Sequence, residues 1–194
     1  KEELANEFYP RAQYYKNLYE PKDKFFRGKR NGCFVTPFDP TQVNFMLTEA
    51  NTWQYNFFVP QDINTHIEMM GGTTAYTRKL NELFNSSSEL TGRVQSDITG
   101  LIGQYAHGNE PGHHTTHLYN YVGRPWRTQE LVDSVLINQY RNAPAGISGN
   151  EDCGQMSAWY ILNAMGFYQV CPGNPTYSIG RPLFPEVTIN LENG

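Results

Sequence analysis

Charge is scarce in this 194-residue chain: Asp, Glu, Lys and Arg make up 18% of it, against roughly a quarter in ordinary soluble domains. The net charge is −4 and Lys and Arg form no basic run, so a nucleic-acid backbone is not an expected partner. Cysteine is scarcer still. Cys33, Cys153 and Cys171 are widely spaced and make no C-x-x-C pair. That excludes a zinc knuckle or dithiol redox centre and allows at most one internal disulfide. Long apolar runs are also missing. No stretch nears the roughly 18 residues of a membrane span. There is no internal repeat and no low-complexity segment. The sequence starts KEELANEFYP, with neither Met nor signal peptide, and ends VTINLENG, so it reads as a piece of a longer protein.

What the chain does have is aromatic residues, 14% with 13 Tyr, together with 17 Gly and 12 Pro. Its length suits one domain with a sizeable core. Helices are expected over Arg11–Tyr19, with Pro10 in the first turn, and over Asp62–Met70, stopped by Gly71 and Gly72. Further helices are expected over Thr74–Phe84, Pro111–Val122, Thr128–Tyr140 and Gly154–Met165, the last apolar enough to be buried. Short strands are expected over Phe167–Val170, Tyr177–Ile179 and Glu186–Leu191. Lys24–Pro40 reads as a long ordered loop of the kind that carries function. The fold class is mainly α, with a few short β strands near the C-terminus. Helix pairs with long loops on one side suit an α/α toroid.

Three segments carry candidate chemistry: TEANTWQY (48–55), HGNEPGHHTTH (107–117) and GNEDCGQMSAWY (149–160). Each sets acids beside amides and aromatics just before a helix, where backbone N–H groups favour carboxylates. Each acid also has a plain structural reading: Asp152 as a helix cap, Glu110 as first-turn charge, Glu49 as a solvated loop residue. His113 and His117 share a helical face, as zinc ligands do. However, the H-E-x-x-H base is absent and no third ligand follows, so hydrogen bonding to hydroxyls or carboxylates is the better role. Paired carboxyls with Trp and amides are what glycoside cleavage needs: a proton donor, a carboxylate, an apolar face for the ring and fixed hydrogen bonds.

These segments closely resemble glycoside hydrolase family 92, the calcium-dependent exo-α-mannosidases. The matching pieces are FFRGKRNGCFVTPFDP, TEANTWQY, DINTHIEMMGG, DITGLIGQYAHGNEPGHH, YNYVGRPWRTQ, GNEDCGQMSAWYILNAMGFYQVCPG and YSIGRPLF, from about residue 24 to 184. The resemblance implies an (α/α)6 catalytic barrel of which residues 1–194 are the carboxy-terminal portion. The amino-terminal β-sandwich and early barrel helices would lie elsewhere in the parent chain. It implies hydrolysis of terminal α-linked mannose, α-1,2 in the first instance, with inversion. The two carboxyls of such an enzyme stand roughly 6.5–9.5 Å apart to admit water.

Carried over, Glu49 resembles the general acid and Asp152 the general base, with Asn150 orienting the water where some members have Asp. Trp53, Gln54, His107, Glu110, His113, His114 and Glu151 are the implied sugar contacts. Gln104, Asn109 and Glu110 are the implied Ca2+ ligands, oxygen donors as calcium prefers. Glu49 should then stay protonated near neutral pH and Asp152 ionised. The implied partners are mannose-containing oligosaccharides or glycoproteins, as in N-glycan degradation, in a secreted, periplasmic or cell-surface setting. The alternatives are a carbohydrate-binding or inactive piece of such an enzyme, and an α/α-barrel glycosidase for another sugar.

Overall fold

The computed structural model describes residues 1–192. The chain is mainly helical, and its strands are two residues each. The first helix, α1 (Glu2–Arg11), buries none of its side chains. Acids in its first turn, Arg11 in its last and an Arg11–Glu7 ion pair at 3.3 Å match the helix dipole. Arg11–Tyr19 is therefore not a helix. Pro10 closes α1 instead of opening the next element, and Tyr14–Leu18 is a 3₁₀ turn. Proline is tolerated there because it removes only one hydrogen bond near a helix end.

The Lys24–Pro40 loop contributes to two small ladders, one of them shared with the residues just before it. Strand β1 (Tyr19–Glu20) pairs antiparallel with β2 (Phe25–Phe26), and β3 (Lys29–Arg30) with β4 (Cys33–Phe34). Asn31 and Gly32 turn the second hairpin with φ 51° and 81°, the left-handed pair an Asn-Gly turn supplies. Strand β5 (Gln42–Val43) lies parallel to β6 (Thr91–Gly92) and draws the Thr48–Asn51 turn toward residues 93–97. Arg93 donates to Thr48 O at 2.9 Å across that gap. Strand β7 (Leu101–Ile102) pairs antiparallel with β8 (Tyr105–Ala106). Most strands lie before His107, and two of the three expected near the C-terminus are present. Only β9 (Phe167–Tyr168) and β10 (Ser178–Ile179) follow His107, and Glu186–Leu191 forms no strand.

Helix α2 (Thr52–Tyr55) is a single turn that the apolar spacing did not mark, while α3 (Ile63–Met69), α4 (Thr73–Asn85), α5 (Pro125–Asn138) and α6 (Gln155–Met165) follow that spacing. Tyr76, Leu80, Leu83 and Phe84 of α4 and Leu131, Val132, Val135 and Leu136 of α5 are buried in one core with Trp53, Phe57, Leu118 and Trp159. The expected Pro111–Val122 helix is instead two 3₁₀ segments, Glu110–Gly112 and Thr115–Val122. The second packs against α4 and α5. Helix α6 is buried on one face only. Met156, Trp159, Asn163 and Ala164 point inward, while Ile161 is 55% exposed.

Candidate active site

The Glu49 turn is built by a capping box. Asn51 is the N-cap of α2; its side chain accepts from Gln54 N at 3.2 Å, and Gln54 Oε1 accepts from Asn51 N at 3.0 Å. Asn51 Nδ2 donates to Gln104 Oε1 at 2.7 Å, and Gln104 Nε2 donates to Ser87 O and Glu89 O at 2.6 and 2.9 Å. Asn109 Nδ2 donates to Glu49 O at 3.1 Å. Buried amides therefore stitch residues 49–51 to residues 104–110. Satisfied networks of this kind rigidify what they join.

The Asp152 turn is strained and clamped. Asp152, Cys153 and Gly154 all have positive φ, at 51°, 56° and 93°. Non-glycine residues in that region cost about 1 kcal/mol or more each, and such outliers gather at working sites. A Cβ on Gly149 (φ 77°) would sit 2.8 Å from Gly108 O, so the two turns cross where only glycine fits. Gln155 Nε2 donates to His113 Nδ1 at 3.0 Å, and Trp159 Nε1 donates to His113 O at 2.9 Å. The Glu110 and Asp152 turns are thereby held as one unit.

Glu110 and Asp152 lie within hydrogen-bond reach of each other there, and the charge of Glu49 reaches Glu110. Glu110 is held above the usual carboxylate range, first by burial, then by a hydrogen bond with Asp152 and by the charges of Asp152 and Glu49; its own backbone amide opposes this. Like charges in one site cannot all ionise cheaply, so the pair favours a proton on Glu110. Glu49 is partly exposed and Asp152 exposed. The acids named from sequence are thus brought together by three segments far apart in the chain.

The histidines are a correction. None forms a sugar rim, because each is buried and bonded inward. His107 is bonded to the hydroxyls of Tyr105 (2.9 Å) and Tyr140 (2.7 Å). His113 donates to His107 O at 2.8 Å, and His114 to Phe57 O at 2.7 Å. His117 lies between Asn163 Oδ1 and Ser178 Oγ, at 2.8 and 3.1 Å. Burial drives all four down, His107 to about 3 and His113, His114 and His117 to about 4. They are neutral structural groups. His66, which the motifs did not point to, is buried among aromatic rings and held at about 3 in the same way.

Trp53 is a second correction. It is buried in the core, with Phe25 edge-on at 4.7 Å and the Lys79 ammonium 4.6 Å from its ring centroid. At 8% exposure it leaves too little ring surface for a pyranose to lie on. Gln54 is a third. Its carbonyl is spent on the capping box, and it is 5% exposed. Asn150 is exposed with Nδ2 3.5 Å from Asp97 Oδ1, turned toward that acid. Glu151 Oε1 accepts from Ser157 N, in the first turn of α6, at 3.0 Å. It also borders a cleft of about 590 Å³ with Tyr140, Arg141 and Tyr160. Tyr55, Gln155 and Asp97 lie beside these residues and were not singled out. Tyr55 was within reach of sequence reasoning, since it ends the TEANTWQY segment.

Residues 1–194 match the profile of the Glycosyl hydrolase family 92 catalytic domain. The chain belongs to that family. It is 41% identical to a family GH92 α-mannosidase of Bacteroides thetaiotaomicron solved in complex with mannoimidazole, over 87% of this chain and 23% of that one, with a TM-score of 0.78. It is 36% identical to a Family GH92 inverting mannosidase of the same organism, over 94% of this chain and 26% of that one, again at 0.78. An uncharacterized secreted glycosidase of Arthroderma benhamiae is 30% identical over 141 residues, 73% of this chain and 16% of that protein. The chain therefore spans about a quarter or less of the length of these relatives.

Against the family's calcium, the donor set fits in part. Glu110 carries carboxylate oxygens, and Asn109 keeps its amide oxygen, both hard donors that suit the ion. Gln104 does not fit, because both ends of its amide are engaged in the Asn51–Ser87–Glu89 network. No group of three His, Cys, Asp or Glu side chains arranged for a metal occurs among the described residues.

Proposed function

We propose that this chain carries the acid–base centre of a family 92 exo-α-mannosidase that removes terminal α-1,2-linked mannose with inversion. The observation that supports it best is the convergence of Glu49, Glu110 and Asp152, held by the Asn109–Glu49 and Gln155–His113 bonds. The mannosidase relatives support the sugar, and the one solved with mannoimidazole supports a mannose-shaped pocket. Residues 1–194 form the later part of an (α/α)6 barrel, and the parent chain adds further sugar contacts. The fungal relative, a secreted glycosidase, supports export.

In this reading Glu49 gives its proton to the leaving glycosidic oxygen. Asp152 takes a proton from the water that attacks the anomeric carbon from the opposite face. The strained turn at residues 152–154 fixes where Asp152 points, and Asn150 at its mouth holds the water. Calcium bound by the oxygens of Glu110 and Asn109 would supply positive charge beside Glu110 and hold neighbouring hydroxyls of the sugar.

The sugar is tested with aryl glycosides in the longest natural polypeptide that carries these residues. Nitrophenyl α-mannoside is expected to be cleaved at least a hundredfold faster than the α-glucoside. Equal rates, or a preference for the glucoside, would replace mannose by another sugar. Mannose binding without turnover would make the chain a binding module.

A further inference from the structure

We propose that Tyr55 and Phe58 form the wall on which the substrate's sugar ring lies, the role the sequence suggests for Trp53. The proposal deepens the mannosidase reading and rests on it. Phe58 is 47% exposed, while its neighbours Phe57 and Val59 are 1% exposed each. A lone exposed Phe carries no meaning by itself. This one is part of a fixed aromatic group. Its ring stands 6.1 Å from Tyr55 at 87° and 5.8 Å from His114 at 66°.

The backbone beneath the group is pinned from several sides. Phe58 N donates to Tyr55 O at 3.0 Å. Buried Asn56 accepts from Phe26 N at 3.1 Å and donates to Lys24 O at 3.2 Å. His114 is tied to Phe57 O, so the histidine four residues after Glu110 is anchored to the base of the wall. The group also borders the acids. The Tyr55 hydroxyl is within hydrogen-bond reach of Thr48, and it feels the charges of Glu49 and Glu110. A pyranose has a patch of C–H groups on one face and hydroxyls around its edge. Such a ring suits an aromatic surface below it and carboxylates at its rim. Among the described residues, the Tyr55–Phe58 pair combines an exposed aromatic edge with proximity to Glu49 and Glu110.

The test compares wild type, Phe58→Ala and Phe58→Trp for KM and kcat on an aryl α-mannoside, with melting temperature as the check on folding. Phe58→Ala is expected to raise KM roughly tenfold with kcat changed less than about threefold. Phe58→Trp is expected to restore KM to within about threefold of wild type. A KM within twofold of wild type in Phe58→Ala, or equal damage in both variants, would overturn the wall. If wild type cleaves no mannoside, the mannosidase reading fails separately. The same variants are then compared for saturation transfer from free monosaccharides: a signal lost in Phe58→Ala and kept in Phe58→Trp supports the wall, and a signal retained in Phe58→Ala overturns it.

Discussion

Glu49→Gln is expected to lower kcat/KM on α-1,2-mannobiose by about a hundred- to ten-thousandfold, the usual worth of a general acid. On dinitrophenyl α-mannoside the loss should be under about tenfold, because that leaving group departs without a proton. The contrast is what identifies the acid, since a residue that only binds sugar would cost both substrates alike. The same pair of substrates tests Glu110→Gln. Glu110 is the acid whose burial and neighbours favour the protonated form in the chain itself, so the competing assignment is specific. If Glu110→Gln shows the leaving-group contrast and Glu49→Gln does not, the proton donor is Glu110 and Glu49 becomes its charged neighbour.

Acid should unfold this chain at unusually mild pH. His66 and His107 are held at about 3, and His113, His114 and His117 at about 4, all through burial. An unfolded histidine titrates near 6.5. Their folded values are depressed, so the stability they contribute is present above pH 6.5 and is lost as pH falls toward 4 and then 3. Between those limits the unfolded chain binds protons that the folded chain refuses. Each histidine then adds a slope of up to about 1.4 kcal/mol per pH unit. Several together outrun the roughly 5–15 kcal/mol that holds a domain folded. Urea unfolding at a series of pH values should show stability falling steeply below pH 6, with loss of the fold between about pH 4 and 5.5. A stability that stays flat from pH 7 to 5 would mean the histidines reach water in the folded chain.

The helices were legible where an apolar stripe met a stop. Gly71 and Gly72 end α3, Gly123 ends the Thr115–Val122 segment and Gly166 ends α6, each with positive φ. Helix α1 was missed because it buries nothing, so it carries no stripe. Two of the short strands near the C-terminus were legible, while those before His107 were not, because two-residue ladders are too short for an alternating pattern to show. The acids stood out in sequence as carboxyls beside amides before a helix, and the structure places Glu110 within hydrogen-bond reach of Asp152 and in the field of Glu49. The histidines were misread for a physical reason. A dense polar run looks like surface, yet here each ring found a partner far away in sequence: Tyr140 for His107, Gln155 for His113, Phe57 for His114 and Asn163 for His117. Trp53 was misplaced likewise, because Lys79 and Phe25 cover it from other elements.

The most direct test of the central claim is mannose release from α-1,2-mannobiose by the longest natural polypeptide carrying this chain, with calcium and then with EDTA, following the first-formed anomer by proton NMR. β-Mannose is expected to be released, in a reaction that EDTA abolishes, calcium restores and Asp152→Asn removes. Release of α-mannose first, or undiminished release in Asp152→Asn, would contradict the central claim.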